Sequence, residues 1–175
     1  MNRVYSRTGR VLAGVLVCLV LVACGKPEST PASKAALAFH PSDECHVCGM
    51  VITDFPGPKG AAATASGVKK FCSPAEMLSW WLQPENHRAD VQLYVHDMGR
   101  SHWNTPDDEH LIDARTAYFV VGSKLKGAMG VVLATFADAQ AAEKLARETG
   151  GQVLRLQDID QKLLGQATAM SPMSH

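Results

Sequence analysis

The alternation of hydrophobic and polar residues predicts short β-strands interrupted by two amphipathic helices. In the first half of the chain, the pattern predicts strands over 47–53 and 60–66, joined by the turn-rich residues 55–59, and a closing strand over 91–97. Residues 73–76 supply an N-cap serine, a proline suited to the first helical position and a glutamate that completes a capping box. This half therefore has the predicted order β-β-α-β.

The second half of the chain repeats this order. Apolar runs predict strands over 117–121, 131–135 and 152–156, and the helix between the last two begins at an N-cap, Asp138, and stops at Gly150. A phenylalanine lies two residues before each of the two N-caps. Because each half is small for an independent core, we expect an α+β fold in which two similar β-β-α-β units pack together.

The N-terminus has the composition of a targeting segment. Three arginines precede an apolar run over 11–22, which is short for a membrane-spanning helix and indicates a secretory signal. The run ends in Leu21-Val22-Ala23-Cys24, which resembles the lipobox of bacterial lipoproteins. We therefore expect a lipoprotein signal peptide over 1–23 and a lipidated Cys24, with more than one acyl chain making the anchor stable.

The composition also predicts the remaining boundaries. Residues 24–40 are polar and proline-bearing, as in a flexible tether. The first unit and its linker would occupy 41–110, the second unit 111–165, and a flexible tail 166–175. An anchored protein of this kind would sit on a membrane facing the periplasm, and the Gly25 after the lipidated cysteine favours the outer over the inner membrane.

Charge and motif content exclude several function classes. The 17 Lys and Arg residues balance 17 Asp and Glu residues, so no basic patch argues for nucleic acid. The sequence shows no Ser-His-Asp set, phosphate-binding loop or paired carboxylates at helical spacing. We therefore expect a binding protein, monomeric by default, rather than an enzyme.

The candidate chemistry is concentrated in Cys45-His46-Val47-Cys48-Gly49-Met50. If this stretch is a strand, Cys48 and Met50 point to the same face, because strand side chains alternate. A thiolate and a thioether together favour Cu(I) over harder ions. Cys45 and His46 are additional candidate ligands of the same site.

Other interpretations of these residues stay open. Zinc would need four ligands, and the further candidates Cys72, His87 and His96 are scattered along the sequence. Cys45 and Cys48 could instead form the redox couple of a thiol–disulfide enzyme, or a disulfide in a passive scaffold. Once the signal is removed and Cys24 is lipidated, three cysteines remain, so at least one thiol is free. Cys72 at a helix start suits either a lowered pKa or simple packing.

Several segments taken in order give the chain a family resemblance. They are Cys48-Gly49-Met50, Pro56-Gly57-Pro58-Lys59, Tyr94-Val95-His96-Asp97-Met98-Gly99, Ile112-Asp113-Ala114, Ala117-Tyr118-Phe119-Val120-Val121-Gly122-Ser123, Gly127-Ala128-Met129-Gly130 and Gly150-Gly151-Gln152-Val153-Leu154-Arg155-Leu156. Together with the lipobox, this set resembles the NosL family of lipoproteins, which serve nitrous oxide reductase assembly, and it covers nearly the whole chain.

The resemblance implies a function. It implies two similar β-β-α-β units, Cu(I) binding, and copper delivery to the copper–sulfide centre of nitrous oxide reductase, with a membrane ABC-type maturation complex and its periplasmic companion protein as partners. By the same resemblance, Cys48, Met50 and Met129 are the metal ligands, and Cys45 and His46 are less secure. His96 lies where other members carry Asn, so we expect a hydrogen-bonded surface group there.

The C-terminal tail carries a second group of soft side chains, Met170, Met173 and His175. A frayed end and a low-affinity copper collector are the two interpretations of this group.

Overall fold

The computed structural model describes residues 32–128 and 132–170, whose elements alternate between strands and helices. The strands are β1 (Gly60–Thr64), β2 (Gly67–Phe71), β3 (Gln92–His96), β4 (Leu111–Asp113), β5 (Tyr118–Val121), β6 (Leu133–Phe136) and β7 (Gln152–Arg155). The helices are α1 (Lys34–Leu37), α2 (Pro74–Trp81), α3 (Ala139–Thr149) and α4 (Gln161–Met170). None of these helices is long and apolar enough to cross a bilayer. The predicted α+β class is confirmed.

The first sheet is antiparallel and has the order β2-β1-β3-β4. Helix α2 packs on it, and the buried Met77 and Leu78 of the helix join the core with Phe71 and Leu93 of the strands. The helix begins as predicted, because the Ser73 hydroxyl accepts a hydrogen bond from the Glu76 amide and Pro74 follows the cap.

The second sheet is antiparallel, has the order β6-β5-β7 and is covered by α3. This helix also begins at its predicted cap, where the Asp138 carboxylate accepts from the Ala141 amide. It ends at Gly150, whose φ of 81° is a conformation that favours glycine.

The two sheets are joined where β3 ends beside β6. The Thr135 hydroxyl donates to the His96 carbonyl at 2.6 Å, and the Met98 amide donates to the Thr135 carbonyl at 2.8 Å. The buried Asp97 carboxylate accepts from the Ala137 amide. These bonds fix the first sheet, which carries the candidate site, against the second.

The predicted strand over 47–53 is wrong. The chain turns over 46–48, and Val51 forms only an isolated bridge to Glu44 before a short 3₁₀ turn, Ile52–Asp54. The partners of β1 are instead β3 and β2, and β2 lay outside the predicted strands. Strand β4 was missed as well and pairs with β3.

The two ends of the described chain are more ordered than the composition suggested. Helix α1 forms within the predicted tether, where the buried Leu37 joins the core and the Phe39 amide donates to the Asp108 carboxylate. Helix α4 runs to Met170, so the first five residues of the predicted flexible tail, 166–170, have helical backbone. Both segments were expected to be flexible because they lack a continuous apolar face.

Candidate metal centre

A tight loop presents the Cys45–Cys48 pair. The Cys45 amide donates to the Met50 carbonyl at 2.8 Å, and the Gly49 amide donates back to the Cys45 carbonyl at 2.9 Å. Gly49 closes the loop with a φ of 72°, which a residue with a side chain rarely adopts. The loop therefore holds the two cysteines by backbone hydrogen bonds, without strand alternation.

Long-range pairing brings a third cysteine to the same place. The His46 amide donates to the Lys70 carbonyl at 2.8 Å, which fastens the loop to β2. Cys72 lies directly after β2 and directly before the cap of α2, so its position is fixed by both elements. It thus reaches Cys45 and Cys48 through tertiary structure.

The three thiols form one compact group. The sulfur atoms of Cys45, Cys48 and Cys72 all lie within 4.8 Å of one another, and those of Cys48 and Cys72 are 3.7 Å apart. Metal–sulfur bonds of about 2.3 Å in a trigonal arrangement place sulfurs about 4 Å apart. The thiols are therefore spaced to hold one soft metal ion after small side-chain adjustments.

The group is buried on one side and open on the other. Cys45 is 3% exposed and Cys72 is fully buried, whereas Cys48 is partly exposed. Val47, at the tip of the loop, is 50% exposed. Solvent or another protein can therefore approach the group from the Cys48 side.

Hydrogen bonding and burial give the three thiols different pKa values. A hydrogen bond from Cys72, assisted by backbone amides of the loop, lowers the pKa of Cys45 to about 4 although burial opposes this. The bond to Cys45 and burial raise the pKa of Cys72, and burial raises the pKa of Cys48. At neutral pH the group therefore holds one thiolate, on Cys45. The lowered pKa that a helix start suggested for Cys72 is wrong.

The other predicted ligands of the loop, His46 and Met50, differ in their surroundings. His46 is exposed and outside the three-thiol group, and its ring packs edge-on against Phe71 at 5.9 Å and Trp80 at 6.0 Å. Burial, with the nearby Lys69 charge, lowers the pKa of His46, so the imidazole is neutral at pH 7. Met50 is partly buried, and its backbone carbonyl binds the Cys45 amide.

Met129 lies outside the described residues, and its role as a ligand stays a prediction. Ala128 and Val132, which border the undescribed residues 129–131, line a small pocket together with Ser73 and Pro74. Cys24, Met173 and His175 also lie outside the described residues.

His96 is not the surface group that the sequence suggested. It is 1% exposed; its Nδ1 accepts from the Lys59 amide at 3.0 Å, and its Nε2 lies 3.0 Å from an Asp108 carboxylate oxygen. Both ring nitrogens are engaged, so its part is structural.

Sequence reasoning missed Cys72 as a member of the site. Cys72 is distant from Cys45 and Cys48 in sequence but joins them in space, and within residues 32–128 and 132–170 the group offers three of the four ligands that the zinc alternative needs. The available signal was the third cysteine left over once Cys45 and Cys48 were treated as a pair.

Comparisons with known proteins identify the family. The NosL family model matches residues 36–164. The chain is 59% identical over 170 residues to the copper-binding lipoprotein NosL of Stutzerimonas stutzeri, covering 97% of this chain and 90% of that protein. It is 33% identical over 119 residues to the protein of the same name from Achromobacter cycloclastes, covering 65% of this chain and 62% of that one.

A solved structure agrees with this assignment. The crystal structure of the copper chaperone NosL from Shewanella denitrificans superposes with a TM-score of 0.70 at 42% identity, covering 78% of this chain and 99% of that one. Sequence and fold thus point the same way over most of the chain. The protein belongs to the NosL family.

Proposed function

We propose that this protein is a membrane-anchored metallochaperone that binds Cu(I) and delivers it for assembly of the copper–sulfide centre of nitrous oxide reductase. The observation that carries the proposal is the group of three thiols within 4.8 Å of one another. The names of its relatives, a copper-binding lipoprotein and a copper chaperone, support a binding role rather than an enzymatic one.

The donor set supports Cu(I) as the bound ion. Thiolate and thioether ligands favour Cu(I), and a loop that supplies Cys45, Cys48 and Met50 offers both types. Cys72 is a further thiol of the same group. Met129 is a further proposed ligand, and the support for it is the family resemblance of Gly127-Ala128-Met129-Gly130.

Unequal burial of the ligands suits transfer. The partly exposed Cys48 is the sulfur that an incoming thiolate or imidazole of a partner would meet first, while Cys45 and Cys72 hold the ion from inside. Copper would then pass by stepwise ligand exchange and stay Cu(I) throughout. The partners we propose are the reductase and its membrane ABC-type maturation complex.

The proposed location follows from the N-terminus. Lipidation at Cys24 would anchor the protein to a membrane facing the periplasm, and Gly25 favours the outer membrane.

The test is anaerobic competition for Cu(I) with a chromophoric chelator, on the reduced soluble form that starts after Cys24. Wild type should bind one Cu(I) tightly; Cys48→Ser should abolish tight binding, and Met50→Leu and Met129→Leu should weaken it. If both methionine variants keep the wild-type affinity for Cu(I), the metal ligands are the thiols and not the thioethers. If wild type holds Zn(II) but no tight Cu(I), the zinc alternative replaces the proposal.

A thiol–disulfide enzyme using Cys45 and Cys48 is the second candidate function. The observation in its favour is the lowered pKa of Cys45, because a thiolate is the reactive form. That sulfur is buried, however, and burial raises the pKa of the more accessible Cys48. Reduction of insulin by metal-free protein would favour this candidate, and its absence would leave the copper proposal alone.

A further inference from the structure

A lysine side chain is buried beside the candidate site without a carboxylate partner. Lys59 is 3% exposed, and within residues 32–128 and 132–170 its ammonium donates one hydrogen bond, to the Phe55 carbonyl at 2.6 Å. An ammonium has three donors, and burying a charge without a counter-ion is costly. Burial accordingly lowers the pKa of Lys59 to about 8.

Sheet register places this ammonium against the thiols. Gly60 and Phe71 form the last pair of the antiparallel β1–β2 ladder, and continuing that register by one residue would oppose Lys59 to Cys72. Directly opposed side chains in such a ladder lie on the same face, close enough to interact. When Cys72 is ionised, its charge acts on Lys59 in the direction that keeps the ammonium protonated.

The backbone at this position is also fixed. The Lys59 amide donates to Nδ1 of the buried His96, whose other nitrogen is held by Asp108. The backbone that carries the Lys59 side chain is therefore held in place by hydrogen bonds.

We propose that Lys59 is the counter-charge of the metal-loaded site: its ammonium stabilises the negative charge that one Cu(I) and two or three thiolates leave on the group. The inference rests on the proposed function and adds a residue that binds no metal itself. The metal-free group carries one thiolate, on Cys45, whereas one Cu(I) with three thiolates carries one more negative charge, so loading strengthens the compensation of the buried ammonium.

Glu76 gives the opposite test of the same electrostatics. Glu76 lies in the first turn of α2, four residues after Cys72, and burial, with the charge on Cys45 as a second cause, raises the pKa of its carboxyl. A negative charge there should oppose an anionic loaded site. Removing Lys59 and removing Glu76 should therefore change copper affinity in opposite directions.

The experiment measures Cu(I) affinity by chelator competition and thermal midpoints of the reduced protein with and without Cu(I). Lys59→Met should lower affinity about tenfold, since charges near a protein surface interact strongly at short range. The midpoint of metal-free Lys59→Met should be unchanged or higher, because a buried charge is gone.

Lys59→Arg should restore affinity to within about threefold, and Glu76→Gln should raise it above wild type. Lys144→Met, an exposed charge on α3, should match wild type.

The outcomes separate this inference from the proposed function. Wild-type affinity in Lys59→Met, or an equal loss in Lys59→Arg with a lower metal-free midpoint, overturns the role of Lys59 and leaves copper binding intact. Failure of wild type itself to bind Cu(I) overturns the proposed function. Lys59→Gln is measured beside Lys59→Met, so the result does not depend on one variant folding.

Discussion

Cys72 shows how a single residue can be central to a site and invisible to local pattern. Cys45 and Cys48 are marked by their spacing, whereas Cys72 is separated from them in sequence and joins them only because the loop pairs with β2 through the His46 amide. Met50 was predicted as a ligand from the chemistry of its thioether, and Met129 was predicted from the family resemblance. Local sequence pattern carries no information on tertiary distances. For that reason Cys45 and Cys48 were recognised as a pair, and Cys72 was not assigned to the same site.

The position of Cys72 predicts a strong effect of its removal. Cys72→Ser takes away one of three thiols, so Cu(I) affinity should fall at least tenfold, roughly the lower bound seen when groups around a metal are lost. The measurement is chelator competition on the reduced soluble form. Ser73→Ala is the matched control: it removes the cap of α2 at a cost of about 1 kcal/mol in stability and should leave affinity near wild type. Equal affinity in Cys72→Ser and wild type would remove Cys72 from the ligand set.

The divided thiol pKa values predict the proton balance of copper binding. At pH 7 the Cys45 thiol is already ionised, whereas Cys48 and Cys72 carry protons. Binding to all three should therefore release about two protons, and apparent affinity should rise with pH above neutrality, because metal competes with those protons. Between pH 7 and 5 Cys45 adds no further proton competition, since its folded pKa is about 4. Calorimetric titration in two buffers of different ionisation enthalpy counts the protons. Release of about three would show that Cys45 is protonated in the metal-free protein.

Among the elements, the helices were the most predictable. Ser73 and Asp138 each accept the hydrogen bond expected of an N-cap, because capping depends on neighbours three residues away. Strand β2 was missed because two of its five residues are lysines at half-buried positions. Whether lysines are accommodated in a strand depends on partners that are distant in sequence. The stretch before Ile52 resembled a strand by its apolar residues, but the positive φ of Gly49 makes it a turn.

The same turn predicts a separation of stability from copper binding. Gly49→Ala meets no atom within 4 Å, so its cost is conformational, about 1 kcal/mol, and it falls on the loop that carries Cys48. We expect a several-fold loss of Cu(I) affinity. Gly67→Ala is the matched control, because Gly67 also has a positive φ and open space but lies at the turn between β1 and β2. It should lower the free energy of unfolding similarly and leave affinity unchanged. Equal copper affinities in the two variants would mean that loop geometry does not set the site.

At the scale of the whole molecule, the candidate site and the expected anchor belong to different parts of the sequence. Cys45 and Cys72 belong to the hydrophobic core of the described residues and Cys48 packs against it, whereas Cys24 precedes the described residues. The second sheet is tied to the first through Asp97 and Thr135. The folded body should therefore determine the affinity for Cu(I), and Cys24 should determine whether the protein is held at the membrane.

This separation predicts that Cys24→Ser divides binding from delivery. Without acyl chains the protein should move from the membrane to the soluble periplasmic fraction, since several buried acyl chains provide the anchoring free energy. Its Cu(I) affinity should equal that of wild type, because no thiol of the group is changed. Copper loading of nitrous oxide reductase in cells should fall, because anchoring raises the effective concentration of the site near a membrane partner. Fractionation, chelator competition and reductase copper content are measured on the same strain.

Cys48→Ser is the complementary variant: it should stay on the membrane and also fail to load the reductase. Full loading by Cys24→Ser would show that the body finds its partner without the anchor, and reduced affinity would show that the N-terminus contributes to the site.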